Sequence, residues 1–214
     1  MSAERVVVLR HGRTGHNLRH IWQGQLDEPL DEVGVAQAHA AAAVLARLAP
    51  VAVVASDLVR ASVTADIVAA AVGLPVTLDP RLQELDVGRW QGLTRAEIVA
   101  AGDSDALDAW RRGDDLAVGG AERPSDLGRR GAQALREHAG AVEAGTLLVV
   151  AHGALLRAAT MSLLGLEQPQ WKLLAGLPNC GWGVLEPGRP TWRLLAWGLT
   201  PPEPDGAAPT AVPA

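Results

Sequence analysis

Two histidines and two arginines stand just beyond three short apolar runs. Arg10-His11 follows Val6-Val7-Val8-Leu9, Arg60 comes shortly after Val51-Ala52-Val53-Val54-Ala55, and His152 follows Leu147-Leu148-Val149-Val150-Ala151. Taken singly, each has an ordinary reading. A histidine at a strand end is as often a core or capping residue as a functional one, and an arginine in the first turns of a helix is usually solvated. Gathered at one face, two guanidiniums and two imidazoles suit a phosphate, because guanidinium forks bind its oxygens bidentately and helix starts add backbone N–H groups. Neighbouring cations also disfavour the imidazolium form, so His11 reads as neutral and nucleophilic near pH 7.

The elements that would position these residues follow from the patterning. The apolar runs are rich in β-branched residues and do not alternate, as expected of strands covered on both faces of a parallel sheet. Helix-like segments at about 32–48 and 58–72 separate the first strands, the second closed by Gly73 and Pro75. Val76-Thr77-Leu78 reads as a third strand, and Thr94 with Glu97 as a capping box for a helix beginning just after Gly92. Residues 112–124 read as a loop around Gly119-Gly120, followed by a helix at about 126–142 that leads into the strand before His152. Trp182 to Glu186 and Trp192 to Trp197 are expected as edge or antiparallel strands. The order predicts an α/β fold, a three-layer α/β/α sandwich with a mainly parallel sheet, whose ligands lie beyond the carboxyl ends of the strands. One domain is expected over 1–199, and a disordered Pro/Ala-rich tail over 200–214.

A formal charge of -5 argues against a general nucleic-acid or anionic-membrane binder. No apolar run approaches the ~20 residues a membrane helix needs. The single cysteine, Cys180, has no partner for an intrachain disulfide and reads as a buried apolar residue, and the N-terminus lacks a secretory pattern, so a cytoplasmic protein is expected. There is no Phe or Tyr, and seven Trp carry the aromatic area. His16 and His20, four apart, have the spacing of zinc ligands but neither a third ligand nor an HExxH pattern, so no metal site is expected. His39 and His138 read as surface residues. Arg111-Arg112 and Arg129-Arg130 read as solvated faces, with one of them a candidate for a carboxylate at the pocket rim.

Four motifs in order resemble those of the histidine phosphatase superfamily, also called phosphoglycerate mutase-like. They are Leu9 to Thr14 with Asn17; Ser56 to Ala61 with Thr64-Ala65; Leu82 to Leu85 followed by Gly88, Trp90 and Gly92; and Val150 to Gly153. The resemblance implies a phosphoric monoester hydrolase working through a phosphohistidine. His11 is then the nucleophile, Arg10, Arg60 and His152 the groups that stabilise the transferring phosphoryl, and Glu84 the general acid. Gly12, Thr14, Asn17, Gln23 and Gly153 are the implied substrate-binding residues. Neither metal nor cofactor is implied, and the partner is a small-molecule phosphate ester. Glu84 also has a simpler reading, as a loop carboxylate that caps a nearby helix.

Trp22 to Asp27, Trp90 to Thr94 and the Asn179 to Trp182 segment are similar to the glucosyl-3-phosphoglycerate phosphatases, in which a residue matching Gln23 lies at the substrate end of the pocket. Gly119-Gly120-Ala121-Glu122 departs from relatives in which an acidic residue directly follows glycines. The short connection from Glu84 to the late strand favours hydrolysis over mutase transfer. A mutase-type phosphotransferase and a non-catalytic phosphate-ester binder are the alternatives, and a homodimer is carried beside a monomer.

Overall fold

A computed structural model of the chain describes residues 2–188 and 191–202, without the side chains of residues 168 and 169. Six strands form one sheet: β1 (Arg5–Arg10), β2 (Pro50–Ala55), β3 (Val76–Leu78), β4 (Thr146–Ala151), β5 (Trp182–Glu186) and β6 (Arg193–Leu199), in the order β3-β2-β4-β1-β5-β6. The first four are mutually parallel, β5 is antiparallel to β1, and β6 is antiparallel to β5. The helices are α1 (Gly15–Leu18), α2 (Glu32–Leu45), α3 (Val59–Ala70), α4 (Arg95–Ala100), α5 (Ser104–Arg112), α6 (Pro124–Ala141) and α7 (Gly153–Leu163). The three-layer expectation holds. Most of the tail predicted at 200–214 lies outside the described residues. Among the described residues no helix is long and apolar enough to cross a membrane.

Side chains of successive strand residues point to opposite faces of a sheet, and here both faces are dry. Val6, Val8, Leu147, Val149 and Ala151 join one core with Leu127, Leu135, Leu155 and Leu156 of α6 and α7. Val7, Leu9, Leu148 and Val150 join the other with the alanines of α2 and α3. That explains the lack of alternation in the sequence. Ala38, Ala41 and Ala42 on α2 and Ala61, Ala65 and Ala69 on α3 are buried, and these short side chains let the two helices lie close to the sheet and to each other.

The expected helix at 32–48 is α2 followed by a short 3-10 turn at Ala46–Leu48, which Ala49 ends in a left-handed conformation. Thr94 and Glu97 form the predicted capping box at the start of α4. The expected loop at 112–124 holds a 3-10 turn, Val118–Gly120, packed against the backbone of Val87. A Cβ on Gly119 would overlap the Val87 carbonyl, and its φ of 56° is itself unfavourable for other residues.

The excursion between β3 and α6 is joined to the N-terminal loop by tryptophan. Trp22 packs edge-on against Trp90 at 5.4 Å and against Trp110 at 4.8 Å. Trp90 is fully buried, and its indole N–H donates to Asp103 at 2.6 Å. The backbone follows, with the Trp22 N–H donating to the Leu93 carbonyl and the Gly92 N–H to the Trp22 carbonyl. With no Phe or Tyr available, this cluster is the main apolar link between the loop after α1 and α5. Trp90→Ala is therefore expected to lower unfolding free energy by about 3–5 kcal/mol. Urea denaturation checks this, and a loss no larger than an exposed substitution produces would contradict the role given to the cluster.

Candidate active site

Strand register brings the site together. Arg10 pairs with Ala151 and Ala55 with Val150, so His11, Ser56 and His152 leave three neighbouring strands side by side. The His11 and His152 rings are 5.2 Å apart. His11 is 2 % exposed, Arg60 1 % and His152 not at all. Arg60 reaches the pocket from the first turn of α3.

His11 Nδ1 lies 2.7 Å from the Gly12 carbonyl oxygen. A carbonyl only accepts, so Nδ1 carries the proton and Nε2 presents its lone pair. Burial, then Arg10 and Arg60, push the His11 imidazole well below its usual range, against the Gly12 hydrogen bond. Burial, then Arg60, His11, Arg10 and Arg130, do the same to His152. Ser56 Oγ accepts from the Leu58 N–H and lies 2.9 Å from His152 Nε2. Where the Ser56 hydroxyl donates to Nε2, Nδ1 of His152 carries the ring proton.

The guanidiniums are only partly satisfied. Arg60 donates to the carbonyls of Leu26 at 2.6 Å and Gly24 at 2.8 Å, and Arg10 to that of Leu177 at 2.7 Å. Nε of Arg10, Nε of Arg60 and Nδ1 of His152 are buried without a partner among the described residues. Buried donors left open in this way are costly and mark a place where an anion would supply the acceptors. Asn17 Oδ1 accepts from Thr14 and from Asn179, which leaves the Asn17 amide NH₂ as a further donor. Among the described residues, no set of three His, Cys, Asp or Glu would hold a metal ion.

Glu84 caps α7. Its carboxylate accepts from the N–H groups of Leu85, Ala154 and Leu155 at 2.9 to 3.1 Å, so the helix-capping reading of the sequence describes this geometry. The cap sets the carboxylate at the start of α7, within the field of Arg10 and Arg60. Arg130 fixes the segment from behind, donating to the carbonyls of Arg81, Gln83 and Glu84 and to Glu122. Glu122, on the segment that departs from relatives, also accepts from the Asp86 N–H.

The other predicted residues take definite places. Gly12 accepts from His11, and its own N–H donates to Thr64. Thr14 is the N-cap of α1, with its hydroxyl near Asn17 and Gln23. Gln23 therefore touches the pocket through Thr14, while the Gly153 N–H starts α7. His16 lies within α1, but His20 falls beyond it in a left-handed turn, so the two do not share a helix face. Cys180 is buried, and burial pushes its thiol up to about 12.

His138 was expected at the surface. It is instead partly buried against Asp79 at 2.8 Å, because α6 packs on the turn after β3. Burial pushes the Asp79 carboxyl up, but Arg81 and His138 outweigh it and bring it to about 2. Arg130 was read as solvated and is a structural clamp. Ser56 and Asn179 were overlooked as site residues: Ser56 stood in the second motif without a role, and Asn179 donates to the His11 carbonyl.

The sequence pattern of the histidine phosphatase superfamily (branch 1) matches residues 6–200. Proteins named glucosyl-3-phosphoglycerate phosphatase are similar along their length: one from Mycobacterium tuberculosis is 39% identical and one from Mycolicibacterium vanbaalenii 38%, each match covering 94% of this chain and 96% of the relative. A solved mycobacterial glucosyl-3-phosphoglycerate phosphatase complexed with VO3 superposes with a TM-score of 0.86 at 39% identity, over 92% of this chain and all of that one. This chain belongs to the histidine phosphatase superfamily. It is a phosphatase, a phosphoric monoester hydrolase with the phosphoglycerate mutase-like fold.

Two buried neutral imidazoles have a consequence for acid stability. Folded His11 and His152 resist protons that the unfolded chain takes up below about pH 6.5, so their contribution is complete above that pH and is lost as pH falls. His152→Gln should flatten the fall of unfolding free energy between pH 6.5 and 5 by up to about 1.4 kcal/mol per pH unit. Urea titrations at several pH values in phosphate-free buffer test this, and an unchanged slope would contradict a neutral buried His152.

Proposed function

We propose that this phosphatase moves the phosphoryl group of a small phosphomonoester first to Nε2 of His11 and then to water, with glucosyl-3-phosphoglycerate or a related sugar or glycerate phosphate as substrate. The observation that carries the reading is the hydrogen bond from His11 Nδ1 to the Gly12 carbonyl, which aims an unprotonated Nε2 into a pocket of open cationic donors. In the first step the N–P bond forms as the P–O ester bond breaks. Arg10, Arg60, the His152 Nδ1–H, the Asn17 amide and the Gly153 N–H meet the negative charge spread over the phosphoryl oxygens. Glu84 gives its proton to the departing alkoxide. In the second step water attacks phosphorus, Glu84 takes the proton back, and phosphate leaves with His11 restored. The pathway uses no metal ion. Similarity to the named relatives supports the substrate class.

The leaving group is the probe of Glu84. An alkyl phosphate expels a basic alkoxide that needs a proton, whereas p-nitrophenolate does not. In single-turnover transfer to the protein, trapped as acid-labile phosphate, Glu84→Gln should slow the alkyl ester by roughly 10² to 10⁴ and p-nitrophenyl phosphate much less. Equal losses would show that Glu84 supports the pocket without donating the proton. Absence of acid-labile phosphate on the native protein would contradict the covalent pathway.

A further inference from the structure

The tautomer of His11 depends on one backbone carbonyl, and what holds that carbonyl comes from a helix outside the pocket. Two consecutive peptide groups run through His11, Gly12 and Arg13. The first is gripped at both ends. The His11 carbonyl accepts from the Asn179 amide at 3.1 Å and from the Cys180 N–H at 3.2 Å, while the Gly12 N–H donates to Thr64 Oγ1 at 3.1 Å. The Thr64 hydroxyl in turn donates to the Arg60 carbonyl at 2.7 Å. The second peptide faces the imidazole. Its carbonyl, that of Gly12, accepts from His11 Nδ1 at 2.7 Å, and its N–H, that of Arg13, donates to Gln37 Oε1 at 3.0 Å. Apart from His11 itself, Gln37 is the only hydrogen-bond partner of this peptide among the described residues.

Helix α2 is built to present that acceptor. Asp31 caps it, with its side chain accepting from the Gly34 N–H at 2.7 Å and its own N–H donating to the Arg13 carbonyl at 3.0 Å. Gly34 and Gln37 follow at spacings of three, on the same side of the helix. A Cβ on Gly34 would overlap the backbone of Arg13, so the glycine lets the two segments touch. Gln37 stands one turn further on, partly buried, and among the described residues its side chain bonds Arg13 alone.

Gly12 makes that bond necessary. Without a Cβ it leaves the planes of its flanking peptides freer to turn than another residue would. A turn of the second plane would carry the carbonyl away from Nδ1. The buried ring would then hold a donor without an acceptor, which is unfavourable, and would rotate or move its proton to Nε2. A proton on Nε2 blocks attack on phosphorus. The bond from the Arg13 N–H to Gln37 fixes the plane. An amide bonded at its N–H is also a better acceptor at its carbonyl, so the same bond strengthens the hold on Nδ1 and raises the electron density at Nε2. A neutral carboxamide does this without setting a charge against the arginines.

We propose that Gln37 is a positioning residue for the nucleophile: through the Gly12–Arg13 peptide it fixes the His11 tautomer and supports Nε2 in phosphoryl transfer, without touching substrate. The inference rests on His11 as the phosphoryl acceptor and adds the residue that keeps it ready.

The test compares Gln37→Met and Gln37→Ala, which suit a helix but remove the acceptor, with Gln37→Glu, which keeps it. Two quantities are measured: the single-turnover rate constant for transfer from p-nitrophenyl phosphate to the protein, trapped as acid-labile phosphate, and inhibition by inorganic phosphate. Loss of the acceptor should slow transfer roughly 5- to 30-fold, and Gln37→Glu should keep most of the native rate. Inhibition by phosphate should hardly change, because Arg10, Arg60, His152 and Asn17 keep their places. Nitrogen-15 spectra of Gln37→Met should show His11 losing its single Nδ1–H tautomer. A rate constant does not depend on how much of a preparation is folded, so partial misfolding does not imitate the effect. Transfer at the native rate in Gln37→Met, or in Gln37→Ala should the Met variant fail to fold, overturns the positioning role. So does a Gln37→Glu variant as slow as the other two, or a weakening of phosphate inhibition that matches the loss of rate, which would show only a loosened pocket. The phosphatase reading survives each of these. A native protein that forms no acid-labile phosphate removes His11 as nucleophile, and this role with it.

Discussion

Two guanidiniums and two imidazoles share one buried pocket, and crowding like charges away from water is unfavourable by several kcal/mol unless it is managed. Much of the surrounding structure serves that end. The imidazoles stay neutral because burial and the arginines disfavour a proton on either. The guanidiniums are faced by carbonyls from two loops, those of Gly24 and Leu26 on one and Leu177 on the other, and by the field of Glu84. Full neutralisation is withheld, since Nε of both arginines has no acceptor among the described residues. An arriving phosphate dianion would complete what the fold leaves open, and its transition state, with charge spread over the equatorial oxygens, would meet donors already in place.

The same constraint explains why the site and the segments around it act as one unit. Glu84 is tied to α7 by backbone N–H groups and to α6 by Arg130, which also holds Glu122. Between the two residues whose carbonyls face Arg60 stands Gln25, whose amide donates to the Glu84 carbonyl and whose N–H donates to Gln91. A shift in any of these segments moves the Glu84 carboxylate relative to His11. On the phosphatase reading, the rigidity of the tryptophan cluster and of the Arg130 clamp is part of catalysis as well as of stability.

Much of this was legible in the sequence. β-branched runs without alternation gave away a sheet covered on both sides, and the ends of two of them pointed to His11 and His152, while Ser56 at the end of the third was overlooked. Val76–Leu78 was read as a strand although it has only three residues. What the sequence withheld was side-chain partnership across long separations. His138 and Arg130 look like surface charges on a helix, and only the packing of α6 against the turn after β3 gives them Asp79 and the Glu84 carbonyl. Glu84 was read two ways, and the structure shows the capping one, with its carboxylate on the N–H groups at the start of α7.

The claim on which the rest depends is that His11 is neutral, protonated at Nδ1 and reactive at Nε2. Nitrogen-15 spectra of the histidine-labelled enzyme, taken between pH 5 and 8 and again after trapping the phosphoenzyme with phosphorus-31 detection, test it directly. The account predicts a His11 ring that holds its Nδ1–H tautomer without titrating near 6.5, and a phosphoryl group bonded to Nε2. A His11 that gains a proton near pH 6.5, or a phosphate on Nδ1, would contradict it.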